Sequence, residues 1–155
     1  MARGEKRSAA RLAAVQALYE MDVSGKGVLD VIAEFESHWM GREIEGMEFR
    51  PAEVAFFRDI TAGVVRDQAR IDRNVDAALA DRWPLRRVEP VLRAILRAGA
   101  YELFNRRDVP AKASISEYVD VARAFYEQDE PGLVNAVLDA IARRQRPDEL
   151  GPRGG

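Results

Sequence analysis

The start of the chain combines cations, an amide and an aromatic ring, namely Arg3, Lys6, Arg7, Arg11, Gln16 and Tyr19. Arg7 and Arg11 are four residues apart, so a helix places both on one face, where one phosphate track can meet them. An amide can read a base edge and a tyrosine ring can stack on a base. The pattern is therefore typical of a surface that binds single-stranded RNA.

A second interpretation of the same residues stays open. Arg7 and Arg11 also fit an ordinary solvated helix face, and Tyr19 also fits a core position. A further set, Arg86, Arg93 and Arg97, has helical spacing and could extend a basic surface. For that set we favour a solvated stripe that pairs with acids of neighbouring helices.

Catalytic and metal chemistry finds little support in the sequence. The chain has no cysteine, which excludes disulfides, thiolate nucleophiles and cysteine-ligated metals. His38 is the one histidine and has no metal-ligating neighbours at suitable spacing. Gly25-Lys26-Gly27 lacks the spacing of a phosphate loop. We therefore predict no catalytic residue, no metal site and no cofactor.

Composition and charge favour a folded protein with a basic face. Of 155 residues, 47% are apolar and 32% charged, so a core can form under a solvated surface. The net charge of -2 alone argues weakly against a nucleic-acid partner, but the acids concentrate in residues 34–53, away from the basic start. Polar residues interrupt the first helix, which excludes a signal peptide, and no stretch is long enough to span a membrane. We predict a cytoplasmic protein.

Apolar residues recur at helical spacing, and no strand alternation is present, so the predicted fold class is all-α with about seven helices. The first, second and fourth predicted helices cover 7–21, 28–39 and 68–82, and Pro51 opens the third. The fifth begins at about Val88, with Pro90 in its first turn. The sixth follows a loop at 105–113 and is capped by Ser114 and Glu117, and Pro131 opens the seventh.

The helices divide into two groups at about residues 66–68. We predict one helical domain over 1–146, built from two small helical-bundle subdomains at about 1–66 and 67–146. Residues 147–155 are rich in proline, glycine and charge, which predicts a disordered tail.

Three sequence blocks carry a family resemblance. They are Arg7-x-x-Ala10-Arg11-x-x-Ala14-x-Gln16-x-Leu18-Tyr19, Arg93-Ala94-Ile95-Leu96-Arg97-Ala98 followed by Ala100-Tyr101-Glu102-Leu103, and Val134-Asn135-x-Val137-Leu138-Asp139. The blocks occur in the same order as in the NusB family of transcription antitermination factors, which the chain resembles from about Arg7 to Ile141.

The resemblance implies both a fold and a function. It implies two small helical subdomains that bind the boxA element of nascent ribosomal RNA together with NusE, a ribosomal protein of the small subunit. The pair helps to load the antitermination complex onto RNA polymerase. The residues that map to the RNA face are Arg7, Arg11, Gln16 and Tyr19, with the entry to the last helix at Asp129 and Leu133 completing it. The expected NusE contacts are Glu89, Leu92, Pro110 and Ala111.

The chain departs from the family pattern at three positions. Leu133 stands where the family usually has an aromatic residue, and Ala136 where it usually has glycine. Leu92 replaces an acid that usually precedes the Arg93 block, so we expect Glu89 to take over part of the NusE contact.

Two other function classes compete with this assignment. A helical domain of this kind also precedes some ribosomal RNA cytosine methyltransferases, but the chain has neither the length nor the cysteine of such an enzyme. The other alternative is a protein-binding helical adaptor whose arginines are only solvated. Salt distinguishes the two binding functions, because affinity set by phosphate contacts falls steeply with salt.

Overall fold

A computed structural model describes residues 2–37, 51–79 and 88–150. These residues form eight α-helices and no strand, which confirms the all-α prediction. The helices are α1 (Ala2–Ser24), α2 (Val28–Phe35), α3 (Pro51–Arg66), α4 (Gln68–Leu79), α5 (Pro90–Asn105), α6 (Ala111–Phe125), α7 (Glu130–Gln145) and α8 (Pro147–Leu150).

Proline and glycine mark several helix ends. Pro90 lies in the first turn of α5, where its missing N–H has no helical partner to lose. Glu89 caps this turn, since its carboxylate accepts from the N–H groups of Val91 and Leu92. Pro131 occupies the first turn of α7, also as predicted. After α1, Gly25 has a φ of 78°, a conformation that favours glycine.

Helix α5 lies at the centre of the fold. Eleven of its residues are buried, because α1, α3, α4, α6 and α7 all pack against it. Buried side chains from both sides of the turn at Asp67 belong to one hydrophobic cluster. The two groups of helices therefore share a core.

Two glycines allow the helices around α5 to approach closely. Gly63 on α3 faces the ring of Tyr101, and Gly99 on α5 faces the side chain of Leu138 on α7. A methyl group at either position would overlap the facing side chain. These two positions thus set how near α3 and α7 come to the central helix.

The predicted start of the sixth helix is wrong. Helix α6 begins at Ala111, three residues before Ser114, and Pro110 is its N-cap residue. Ser114 is buried and donates to Glu102, while Glu117 accepts from Ser8 and Arg11. Both side chains of the expected capping box are thus used by tertiary contacts.

The predicted tail is also wrong in its first four residues. Residues 147–150 form α8, and Glu149 accepts hydrogen bonds from the backbone N–H of Ala111 and from Arg146. Arg146 is itself buried and donates to the carbonyl of Val109. These bonds hold the segment against the start of α6.

Several sequence predictions fall outside the described residues. They are the end of the second helix with His38, the end of the fourth helix, Arg86, and residues 151–155. Within the described ranges, no helix is both long and apolar enough to cross a membrane.

Candidate nucleic-acid interface

Helix α1 carries most of the predicted site and runs antiparallel to α5. Near its end, Asp22 accepts from Arg93 Nη2 at 2.5 Å, close to the start of α5. Near its beginning, Arg11 Nε donates to Glu102 at 2.7 Å, close to the end of α5. These two contacts fix the register of the candidate interface on the central helix.

Helix α6 is antiparallel to α5 as well. The Tyr118 hydroxyl donates to Glu102 at 2.5 Å, and Tyr126, just after α6, donates to Glu89 at the start of α5. Since both neighbours are antiparallel to α5, α1 and α6 run in the same direction. Glu117 joins them, because it accepts from Arg11 Nη1 at 2.8 Å.

Arg11 is buried, so the prediction that it meets RNA beside Arg7 is wrong, and so is the alternative that it lies on a solvated helix face. Only 3% of the residue is exposed, against 0% for Glu102. Its guanidinium donates to both carboxylate oxygens of Glu102, at 2.7 and 3.0 Å. Ser114 and Tyr118 donate to the same carboxylate. Arg11 is therefore part of a buried network that joins three helices.

The charges of this network are stabilised by its hydrogen bonds. Burial alone would lower the pKa of Arg11, but the hydrogen bond and charge of Glu102 raise it above its ordinary value. Burial, followed by the charge of Glu102, raises the pKa of Tyr118 well above 10.0. Arg11 therefore stays cationic and the tyrosine hydroxyl stays a donor.

Arg7 lies one turn before Arg11 and reaches the surface. Its guanidinium carbon is 4.7 Å from the centroid of the Phe56 ring, on which Arg106 also lies at 4.8 Å. Arg7 Nη2 is 3.6 Å from Asp108. Hydrogen bonds from Arg106 lower the pKa of Asp108 to about 2, so this carboxylate is charged at neutral pH. The side chain of Arg7 keeps 30% of its surface exposed.

Gln16 and Tyr19 lie on the outer part of α1. Both residues are exposed, and Tyr19 has 37% of its surface in solvent, which rules out the interpretation of Tyr19 as a core residue. The backbone of Arg3 and Lys6 belongs to α1, but their side chains are outside the described set. Among the described side chains mapped to α1, the surface thus offers Arg7, Gln16 and Tyr19.

The other predicted contacts with RNA lie at the start of α7. Asp129 is the N-cap residue and is exposed, and its side chain makes no capping hydrogen bond. Leu133 is half-buried and packs against the core. The structure thus presents Asp129 to solvent and Leu133 only in part.

The expected partner contacts are separated by the length of α5. Glu89 precedes the helix and Pro110 follows it by five residues, and both are exposed. Leu92 and Ala111 are buried, so their side chains offer no surface to a partner. A partner that bound both ends would have to contact Glu89 and Pro110 instead.

The second arginine set pairs with acids of neighbouring helices as we favoured, but it is not a solvated stripe, because the side chains of Arg93 and Arg97 are only 16% and 13% exposed. Arg93 binds Asp22 of α1, and Arg97 Nε donates to Asp72 of α4 at 2.8 Å. These arginines join α5 to its neighbours, and Arg86 lies outside the described residues.

Sequence reasoning missed Glu102, Phe56 and Arg106. One signal was present for Glu102, because it is an acid within the apolar run of α5, and a buried acid requires partners. No comparable signal marks Phe56, whose importance arises only when Arg7, Arg11 and Arg106 meet over its ring.

Comparison with known protein families gives a match to the NusB family over residues 8–143. "Transcription antitermination protein NusB" of Bradyrhizobium sp. (strain ORS 278) is 63% identical over 151 residues, which cover 97% of this chain and 90% of that protein. The protein of the same name from Nitrobacter hamburgensis is 63% identical over 148 residues, covering 96% and 92%.

Solved structures show the same fold. NusB of T. maritima has a TM-score of 0.78 at 24% identity, covering 92% of this chain and 94% of that one. A chain from a structure described as a plectonemic RNA supercoil has a TM-score of 0.77 at 23% identity, covering 90% and 95%. NusB of Aquifex aeolicus, solved in solution, has a TM-score of 0.69 at 24% identity, covering 96% of each chain.

Proposed function

Because the chain belongs to the NusB family, we propose that it is a transcription antitermination factor that binds boxA of nascent ribosomal RNA together with NusE. In this proposal it acts in the cytoplasm, helps to load the antitermination complex onto RNA polymerase, and performs no catalysis. It needs no cofactor, and within the described residues no cluster of three metal-ligating side chains is present.

The observation that carries the proposal is the set of side chains that α1 exposes. Along its length the helix presents a partly exposed cation at Arg7, an amide at Gln16 and an exposed ring at Tyr19. Single-stranded RNA is recognised by this combination of phosphate pairing, base-edge hydrogen bonding and stacking. The relatives' shared name and the RNA in the description of one structural neighbour agree with it.

Each residue of the interface has a distinct proposed role. Arg7 pairs with a phosphate, supported by Arg3 and Lys6, while Gln16 reads a base edge and Tyr19 stacks on a base. Asp129 and Leu133 complete the surface at the start of α7. Arg11 acts as a positioning residue, because its bonds to Glu102 and Glu117 hold α1 in place.

NusE is proposed to bind along the second half of the chain. Its contacts are Glu89 at one end of α5 and Pro110 beyond the other, so the partner must extend over a helix of 16 residues. At 1.5 Å per residue this length is about 24 Å.

Titration of the full chain with a boxA-containing RNA, with and without NusE, tests the proposal. We expect binding that tightens when NusE is present and weakens steeply with salt. A control RNA with a scrambled boxA should bind more weakly. Equal affinity for both RNAs, or affinity for NusE alone, would favour the protein-binding adaptor.

Arg7→Ala should reduce the salt dependence of this binding. On a single strand each lost phosphate contact lowers the slope of log affinity against log salt by roughly 0.7. The matched control is Arg144→Ala, which removes an exposed cation from the last turn of α7. We expect the control to keep the wild-type slope, measured by fluorescence anisotropy at several salt concentrations. A wild-type slope for Arg7→Ala would remove Arg7 from the interface.

A further inference from the structure

Phe125, the last residue of α6, exposes 42% of its surface. Within the described ranges, Phe125 and Tyr19 are the two aromatic residues among the large apolar side chains exposed to this degree. Exposing an aromatic ring forgoes the free energy that its burial would contribute. An exposed ring is therefore a candidate for contact with a ligand.

The two rings lie in the same direction along their helices from the contact that joins α1 to α6. Helices α1 and α6 are parallel and joined by the contact between Arg11 and Glu117. Tyr19 is eight residues beyond Arg11, and Phe125 is eight residues beyond Glu117. At 1.5 Å per residue both rings are about 12 Å further along their helices.

Each ring continues a stripe that contacts a neighbouring helix. Ser8, which donates to Glu117, is eleven residues before Tyr19, and eleven residues are close to three full turns. On α6, Phe125 continues the buried stripe of Tyr118 and Val121 at i, i+3 and i+7. Tyr19 therefore lies on the side of α1 nearest α6, and Phe125 ends the α6 stripe whose Tyr118 contacts Glu102 of α5.

The position of Phe125 is fixed by its neighbour. The ring of Tyr126 is 6.5 Å from it, centroid to centroid, at an interplanar angle of 53°. Tyr126 is in turn held by the hydrogen bond that its hydroxyl donates to Glu89. The exposed ring is therefore preorganised, which lowers the entropic cost of stacking a base on it.

The surroundings of Phe125 favour a nucleic-acid base over a protein surface. The exposed residues next to it in the sequence are Arg123, Ala124, Glu127 and Gln128, so Phe125 does not belong to a run of exposed large apolar side chains. A protein interface buries a contiguous apolar centre, whereas a base stacks on a single ring. The acids nearby disfavour phosphates, so the contact expected at Phe125 is with a base.

We propose that Phe125 is a second base-stacking residue, and that one RNA strand contacts both Tyr19 on α1 and Phe125 at the end of α6. This inference rests on the proposed function. It adds a contact on α6 to a surface otherwise assigned to α1 and the start of α7.

The test compares Phe125→Leu with Phe125→Tyr in titrations with boxA-containing RNA. Leucine keeps an apolar side chain but removes the aromatic face, so we expect the dissociation constant to rise about 5-fold or more. Tyrosine keeps the face and should bind as the wild type does. Neither variant should change the salt slope, because no phosphate contact is lost. Leu29→Ala, at a residue 80% exposed on α2, is the control for losing an exposed apolar side chain.

Abasic substitutions along the RNA identify the stacked base. One abasic site should weaken RNA binding by the wild type but have little further effect on the affinity of Phe125→Leu. A different abasic site should have little further effect on the affinity of Tyr19→Leu. If melting shows that Phe125→Leu is unfolded, Phe125→Trp gives the same information, since stacking should quench the new tryptophan.

Wild-type affinity in Phe125→Leu, or an unquenched Phe125→Trp in the RNA complex, would overturn the inference while leaving the proposed function intact. Loss of NusE binding with unchanged RNA affinity would assign Phe125 to a protein interface. Absence of RNA binding by the wild-type chain would instead reject the proposed function, and this inference with it.

Discussion

Arg11→Ala should destabilise the protein by about 3–5 kcal/mol, the cost typical of removing one partner of a buried ion pair. The substitution leaves the fully buried Glu102 carboxylate with only the hydroxyls of Ser114 and Tyr118 as donors. It also removes the contact from α1 to Glu117. Urea denaturation followed by circular dichroism measures the change as a lower midpoint.

Two controls separate burial from the loss of a charge. Arg123→Ala breaks an exposed pair with Asp120 on α6 and should cost less than about 1 kcal/mol. The double variant Arg11→Leu plus Glu102→Leu removes both charges and should recover much of the loss. A midpoint for Arg11→Ala equal to that of Arg123→Ala would contradict the buried network.

This result also bears on RNA binding. Arg7→Ala and Arg11→Ala change the same helix. The side chain of Arg7 is 30% exposed, whereas that of Arg11 is only 4% exposed. A combined variant would lose both the phosphate contact proposed for Arg7 and the support of α1. The two arginines must therefore be tested separately.

Gly63→Ala should destabilise the protein by about 3 kcal/mol, at the upper end of the cost of overpacking a core. The added methyl group would overlap the Tyr101 ring at its hydroxyl end. That ring cannot move freely, because its hydroxyl donates to Asp59 at 2.6 Å. Helix propensity alone favours alanine by up to about 1 kcal/mol, so packing reverses the sign. Thermal melting should show a lower midpoint.

Gly132→Ala is the matched control, because Gly132 also lies in a helix and a methyl group there would meet nothing within 4 Å. It should be neutral or raise the melting temperature. Shortening the facing side chain in Gly63→Ala plus Tyr101→Leu should relieve part of the overlap. A Gly63→Ala variant that melts at or above the wild-type temperature would show that α3 and α5 are further apart than described.

Helix positions could be predicted from the sequence because apolar periodicity and proline placement act locally. The stripe on α4 with Ile71, Val75 and Leu79 is buried as expected, and Pro90 and Pro131 open their helices. Such signals depend on residues three to four positions apart, which a single sequence contains.

The burial of Arg11 could not be predicted in the same way. A helical wheel shows that Arg7 and Arg11 share a face, but it does not show which helix covers one turn of that face. Here Glu102 and Glu117 cover Arg11, whereas Arg7 lies at the edge, over Phe56. For the same reason the local pattern at Ser114 predicted a helix cap, whereas in the structure this side chain donates to Glu102 on another helix.

The hydrogen bonds of Arg11 also bear on when the protein becomes competent during its synthesis. Glu102 and Glu117 follow Arg11 by 91 and 106 residues, so α1 leaves the ribosome long before its partners exist. Contacts between such distant residues form late, because the intervening chain must be closed into a loop. For most of translation, Arg11 is thus a solvated cation on an unsupported segment. The α1 surface acquires its final form only after α6 has been made, which prevents a partly synthesised chain from presenting the complete interface.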